Sequence, residues 1–165
     1  MTALTFRPLD LVHDAALLLG FMREVFAVSF DEGRFAEEFG ADGAGYFAWL
    51  GARLAEDPGD AVLALEAGEV VGLVITGRCP GNPAIGYVYT YYLAPRARGR
   101  RLADRLDDHA MATLRARGYG LARLSVAEKN RTAMKFYARR GWRPVGPRAD
   151  QPGVIFLEKA TSEPS

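Results

Sequence analysis

The residues best equipped for chemistry lie between Tyr87 and Ala103, in the stretch YVYTYYLAPRARGRRLA. Arg96, Arg98, Arg100 and Arg101 crowd a Gly-containing turn that separates a run of aromatic residues from a helical pattern beginning near Arg100. The first amides of a helix have no intrahelical acceptor, and the macrodipole favours negative charge in front of them. A phosphate-bearing ligand at this turn follows from those two facts. The other reactive side chains are less promising. Cys79 sits in a Pro/Gly-rich segment without a visible base, and His13 and His109 fall in separate helices with no nucleophile beside them. No Cys/His spacing predicts a metal site.

The elements that must position the turn follow from periodicity. Leu4 to Arg7 reads as a strand, and Asp10 can cap a helix from Leu11 to about Val28. A second helical region, interrupted between Gly40 and Gly45, ends at Asp57-Pro58-Gly59. Ala61 to Leu65 and Val70 to Thr76 form a hairpin around Glu66-Ala67-Gly68-Glu69, and Cys79 to Pro83 is a loop. The strand Tyr87 to Leu93 ends at Pro95, and a helix from Arg100 to about Arg117 stops at Gly118 or Gly120. Leu121 to Ala127 is a strand, Arg131 to Arg140 a short helix stopped by Gly141, and Trp142 to Val145 pairs with Val154 to Lys159. Strand, helix and strand from Tyr87 to Ala127 make a βαβ unit with parallel strands and a right-handed crossover. The fold class is therefore α/β (α+β mixed): a mixed, mostly antiparallel central sheet with one parallel pair and helices on both faces.

At 165 residues the chain has the size of one ordinary domain, expected over residues 1–160 with an unstructured tail at 161–165. No apolar run reaches membrane-spanning length, and Met1 to Asp10 lacks a signal-peptide pattern, which predicts a cytoplasmic protein with no membrane partner. The formal net charge of +1 conceals an asymmetry. Acids dominate from Asp31 to Asp60, against only Arg34 and Arg53, whereas Lys and Arg dominate from Arg96 to Arg148. One half should attract a cation and the other an anion, unless the acids are simply solvated helix faces. The arginines are not interleaved with aromatics in a nucleic-acid-binding pattern, so no nucleic-acid partner is expected.

Three segments together resemble the GNAT acyltransferase superfamily. They are the hairpin AVLALEAGEVVGLVITG, the stretch LAPRARGRRLA, and NRTAMKFYARRGW with its spacing of Asn130, Ala133, Tyr137 and Gly141-Trp142. The resemblance implies transfer of an acetyl group from acetyl-CoA to an amine, with acetyl-CoA held by Leu93, Ala94, Arg98, Gly99, Arg100, Arg101, Leu102, Ala103, Asn130 and Tyr137. It implies that backbone groups of Leu93 and Ala94 pair with the pantetheine arm as an added strand would. Many members are homodimers, so a homodimer is admitted. One departure stands out: Arg101 occupies the position of the motif's middle Gly. Because Arg101 falls in the first helical turn, ordinary helical φ and an outward guanidinium are expected.

By the same resemblance Tyr137 is the general acid. A phenol near pKa 10 can protonate a thiolate whose conjugate acid lies near 8.5 without itself being ionised. The alternative is a Tyr that only packs between sheet and helix. The base is open: where many members carry Glu, this chain has residues such as Tyr87 and Ser125. Glu37, Glu38 and Asp42 are candidates, or no dedicated base exists. Tyr89 and Tyr91 should alternate onto one face of their strand and line the acceptor pocket, and the acidic half suggests a cationic acceptor. The rival reading is an acyl-CoA binding module with weak or no catalysis.

Overall fold

The computed structural model describes residues 3–30 and 33–162; Asp31 and Glu32 of the acidic half, and residues 163–165, lie outside the described residues. In chain order the elements are β1 (Leu4–Pro8), α1 (Ala15–Ser29), α2 (Arg34–Phe39), α3 (Ala44–Glu56), β2 (Ala61–Glu66), β3 (Glu69–Cys79), β4 (Asn82–Leu93), α4 (Leu102–Ala116), β5 (Leu121–Ala127), α5 (Arg131–Arg139), β6 (Arg143–Pro147) and β7 (Val154–Ala160). The sheet is seven-stranded in the order β1-β2-β3-β4-β5-β7-β6. Every neighbouring pair is antiparallel except β4 and β5, which are parallel, as the βαβ reading requires.

Two apolar layers cover the sheet. One face packs on α4 through Val74, Val88, Leu106, Ala110 and Leu114, with α5 resting beside it. The other packs on α1 to α3 through Leu18, Phe35, Leu50, Leu63, Leu73 and Ile75. The two-residue turn of the β2–β3 hairpin has positive φ at both Ala67 (52°) and Gly68 (83°), the I′ geometry that matches strand twist. Gly72 is needed for close approach, since a Cβ there would stand 2.7 Å from the Tyr92 carbonyl oxygen.

Several boundaries differ from the sequence-based expectation. The expected loop from Cys79 to Pro83 is instead a tight turn at Pro80-Gly81, with Cys79 and Asn82 already paired. Pro83 escapes the usual penalty because it falls in a register shift where its missing N–H costs no ladder bond. Helix α1 starts at Ala15 rather than Leu11; Asp10 caps only a preceding turn, accepting from the amides of Val12 and His13. Thr161, expected to open the unstructured tail, is buried. Its hydroxyl donates to the Tyr119 carbonyl at 2.7 Å, and its own carbonyl accepts from Arg115 at 2.7 Å.

The irregularity with most consequence lies in β4. Ile75 pairs with Thr90 and Thr76 with Val88, so Tyr89 is the extra residue of a β-bulge. A one-residue slip inverts the facing of everything beyond it. The expectation that Tyr89 and Tyr91 share a face is thereby overturned. Tyr89 lies on the α1–α3 side against Trp49, and Tyr91 on the α4 side against Asp107.

Candidate active site

β4 and β5 pair only at Gly86 with Ala122 and at Tyr87 with Arg123, although β4 continues to Leu93 and β5 to Ala127. A bulge increases local twist and bends its strand, and the bulge at Tyr89 falls where the two strands part. The gap opens into a cleft of about 1280 Å³ that reaches both sides of the sheet. Past Tyr87 the β5-facing backbone of β4 has no partner in β5, which leaves a free strand edge inside the cleft.

On the α4 side the cleft is bounded by Leu93, by Arg98, Gly99 and Arg101 of the turn, by the first residues of α4, and by Asn130 and Tyr137 at the cap and in the body of α5. Gly99 has φ of 81° and Arg101 has φ, ψ of 60°, 22°. The expectation of ordinary helical φ at Arg101 is corrected: the residue is the left-handed N-cap, and α4 starts one residue later at Leu102. The chain must turn sharply there to bury Leu102, and a left-handed non-glycine residue costs about 1 to 2 kcal/mol. Alternating backbone hand of this kind points successive N–H groups into one concavity, a ready site for phosphate oxygens.

The four arginines of the turn do not act alike. Arg98 donates from Nε to the Leu93 carbonyl at 2.9 Å and pairs with Glu24 at 3.0 Å. Arg100 makes a two-pronged pair with Glu66 at 2.9 and 2.8 Å, and Arg96 lies beside Glu69. Arg101 is exposed and lines the cleft, and its guanidinium has no hydrogen bond or ion pair among the described residues. Of the residues expected to hold the cofactor, Ala94 and Arg100 are not at the cleft wall. The Ala94 N–H is occupied by the Val71 carbonyl at 2.7 Å, as the Leu93 carbonyl is by Arg98.

Tyr137 is carried on α5, whose first turn is capped as expected: the Asn130 side-chain oxygen accepts from the Ala133 amide at 3.2 Å. Its ring lies between Tyr91 (6.4 Å between centroids) and Trp142 (6.1 Å). Its hydroxyl has no hydrogen bond among the described residues. Burial, and secondarily the negative charge of Asp107, push the phenol well above its ordinary value.

Asp107 is the residue that sequence reasoning missed. Its carboxylate is fully buried and accepts four bonds: Tyr91 Oη at 2.9 Å, Trp142 Nε1 at 3.0 Å, Arg140 Nε at 2.9 Å and Lys159 Nζ at 2.7 Å. It ties β4, the segment after α5, and β7 to α4. A signal existed, because Asp107 lies at helical spacing from Ala103, Ala110, Met111 and Leu114, on the apolar stripe where an unpaired acid would be costly.

The α1–α3 side is aromatic. Tyr87 donates to Ser125 Oγ at 2.9 Å, and Arg148 donates to the same oxygen at 3.2 Å while pairing with Asp150 at 2.8 Å. Tyr89 Oη accepts from Arg53 at 2.6 Å and donates to the Arg78 carbonyl at 2.9 Å. The acids of this half are largely spent on neighbours. Glu38 lines the cleft but lies 3.6 Å from Arg34, Asp57 and Asp60 hold Arg117, and Glu56 meets Arg78; Glu37 is not at the cleft wall. His13 is exposed beside Asp10, and His109 stacks on Phe6, both away from the cleft. Cys79 does line it, but burial raises its thiol pKa, the opposite of what a nucleophile needs. No group of His, Cys, Asp and Glu that could hold a metal occurs among the described residues, and no helix among them is long and apolar enough to cross a membrane.

A family model described as the acetyltransferase (GNAT) family matches residues 20–142. Among solved structures, the PaiA N-acetyltransferase of Thermoplasma acidophilum in complex with coenzyme A is similar with a TM-score of 0.76 at 16% identity, covering 96% of this chain and 99% of that one. YncA of Salmonella typhimurium, solved with its cofactor acetyl-CoA, gives 0.70 at 18% identity over 99% and 96%. An acetyltransferase of Thermus thermophilus gives 0.66 at 18% over 96% and 97%. At these identities the likeness to the solved structures is one of fold. No curated protein matches the sequence significantly.

Proposed function

The chain belongs to the GNAT acetyltransferase family, and from that premise we propose that it moves the acetyl group of acetyl-CoA directly onto an amine, with Tyr137 as general acid. The observation that supports this reading is the place of Tyr137 at the cleft wall with its hydroxyl unengaged among the described residues. Tyr137 lines the same cleft as the amide turn at Gly99 to Leu102, and no protein group hydrogen-bonds its hydroxyl among the described residues. The pyrophosphate sits against the first turn of α4, where the amide hydrogen bonds are charge-assisted and worth about 1.5 to 3 kcal/mol each. The pantetheine arm runs along the free edge of β4 in the splay, as an added strand would.

In the reaction the amine nitrogen bonds to the thioester carbon, the C–S bond breaks, and the departing sulfur takes the Tyr137 proton. The acceptor nitrogen loses one proton, which restores the phenol by way of solvent, so the balance closes. Tyr87 and Ser125 occupy positions where the family resemblance implies Glu; the Tyr87 hydroxyl donates to Ser125 Oγ, which also accepts from Arg148. We assign the deprotonation to no residue. Transfer into a cleft lined by aromatic groups disfavours the charged ammonium and lowers the amine pKa.

The test is thiol release from acetyl-CoA over a panel of amines. Amine-dependent release of coenzyme A is expected; binding of acetyl-CoA without release for any amine identifies the chain as a binding module instead. Arg101 provides a separate prediction. Its unpaired charge borders the phosphate site, so Arg101→Gly weakens acetyl-CoA binding by roughly three- to tenfold, the worth of about one charge-assisted contact partly screened by water. Isothermal titration reads this directly, and tighter binding by the Gly variant would mean that the side chain obstructs the ligand.

A further inference from the structure

We propose that the acceptor is a primary amine carried on an aromatic body with a polar ring substituent, an arylalkylamine of the tyramine type, rather than a polyamine or another multiply charged amine. This deepens, and rests on, the acetyltransferase reading. On the α1–α3 side the cleft is walled by Phe39, Tyr46, Trp49, Tyr87, Tyr89 and Phe156. Aromatic rings meet one another in stacked or edge-to-face geometry, so such walls accept a flat ring more readily than a flexible chain of charges.

The charges that a polycation would need are already committed. Glu38 is paired with Arg34, and the Arg148 charge at the wall is balanced by Asp150. The faces of Trp49 and Tyr89, where a substrate cation would otherwise settle, are covered by the Arg53 guanidinium at 4.7 and 4.4 Å. This end of the cleft therefore offers apolar surface and no uncommitted carboxylate among the described residues.

One polar group is left over. Tyr46 is 5% exposed and lines the cleft, and its hydroxyl makes no hydrogen bond of acceptable geometry among the described residues, although the Thr90 side chain lies beside it. A buried hydroxyl without a partner is costly, and a ligand group that reaches it recovers the loss. The hydroxyl is covered in this structure, so a small shift of the Tyr46 side chain on binding brings it to a ring hydroxyl on the acceptor, which supplies that partner. Acceptors lacking it should then be discriminated against, because the site's own polar group stays unpaired.

Initial rates of thiol release would be measured with tyramine, phenethylamine, spermidine and cadaverine, for the full chain and for Tyr46→Phe, which removes only the hydroxyl. The expected result is kcat/KM for tyramine roughly tenfold or more above either polyamine, the effect of about one aromatic contact. A several-fold preference for tyramine over phenethylamine should vanish in Tyr46→Phe. Faster turnover of spermidine or cadaverine, or equal use of tyramine and phenethylamine by the wild type, overturns the acceptor class while leaving acetyl transfer standing. Binding of acetyl-CoA with no release for any of the four amines or a wider panel overturns both.

Discussion

Tyr137→Phe is expected to lower kcat by roughly 10²- to 10³-fold, within the range for loss of a positioned acid, while acetyl-CoA binds nearly as well as to the wild type. The substitution removes one oxygen and keeps the ring between Tyr91 and Trp142. A tyrosine that only packs there would lose little on this change. The two roles are therefore separated by kcat measured alongside acetyl-CoA affinity. The pH dependence has a definite sign. Burial and Asp107 raise the Tyr137 phenol above its ordinary value, so the proton-bearing form is fully populated below pH 10 and is lost only as pH rises through that raised value. The wild-type rate should then not fall between pH 7 and about 10 through loss of this acid, given a phenol reference near 10. A descending limb centred near pH 7 to 8 would assign the acid to another group.

The largest effect on stability is expected at Asp107. Asp107→Ala leaves the guanidinium of Arg140 and the ammonium of Lys159 without their buried counter-charge, and leaves the Trp142 indole and Tyr91 hydroxyl without an acceptor. Breaking a buried ion pair from one side costs about 3 to 5 kcal/mol, far more than an exposed pair of about 0 to 1 kcal/mol. Arg140 and Lys159 are themselves mostly covered, with side-chain exposures of 20% and 18%, so water cannot replace the carboxylate well. Urea denaturation should show a lower midpoint at unchanged slope. A midpoint equal to wild type would mean that the network contributes nothing net. Because Trp142 and Tyr91 flank Tyr137, loosening Asp107 should also reduce kcat at temperatures where the variant is still folded.

The local features of the candidate site are legible along the chain because their determinants are short-range. The Asn130 cap, the Gly141 stop and the aromatic at Trp142 depend on residues within one short helix. The βαβ unit from β4 to β5 follows from an apolar strand, a turn and an amphipathic helix in succession, and the structure contains it as a parallel pair. The turn of the β2–β3 hairpin was likewise visible in Ala67-Gly68.

What could not be read depended on partners distant in sequence. The acidic half reads as a cation-attracting face, yet Asp57 and Asp60 are taken by Arg117 of the segment after α4, and Glu56 by Arg78. Charge counted along a chain says nothing about which opposite charge folding brings beside it. Tyr89 and Tyr91 do not share a face as alternation predicts, because alternation assumes an unbroken ladder and the bulge arises from how β3 and β4 pair. Arg101 was expected to be helical from its spacing. Its left-handed backbone is imposed by the burial of Leu102 and the anchoring of Arg98 and Arg100 on either side of Gly99.

The sequence by itself determined the order of elements, the amide turn before α4, the cap of α5 and the tyrosine that α5 carries, since each follows from short-range backbone and side-chain preferences. Only the tertiary structure decided where β4 leaves β5, which charges cancel, and that a carboxylate on α4 would hold the neighbours of Tyr137. Those outcomes belong to the packing of α4 and α5 on one face of the sheet and α1 to α3 on the other, where burial forces each charge to find a partner and each strand its register.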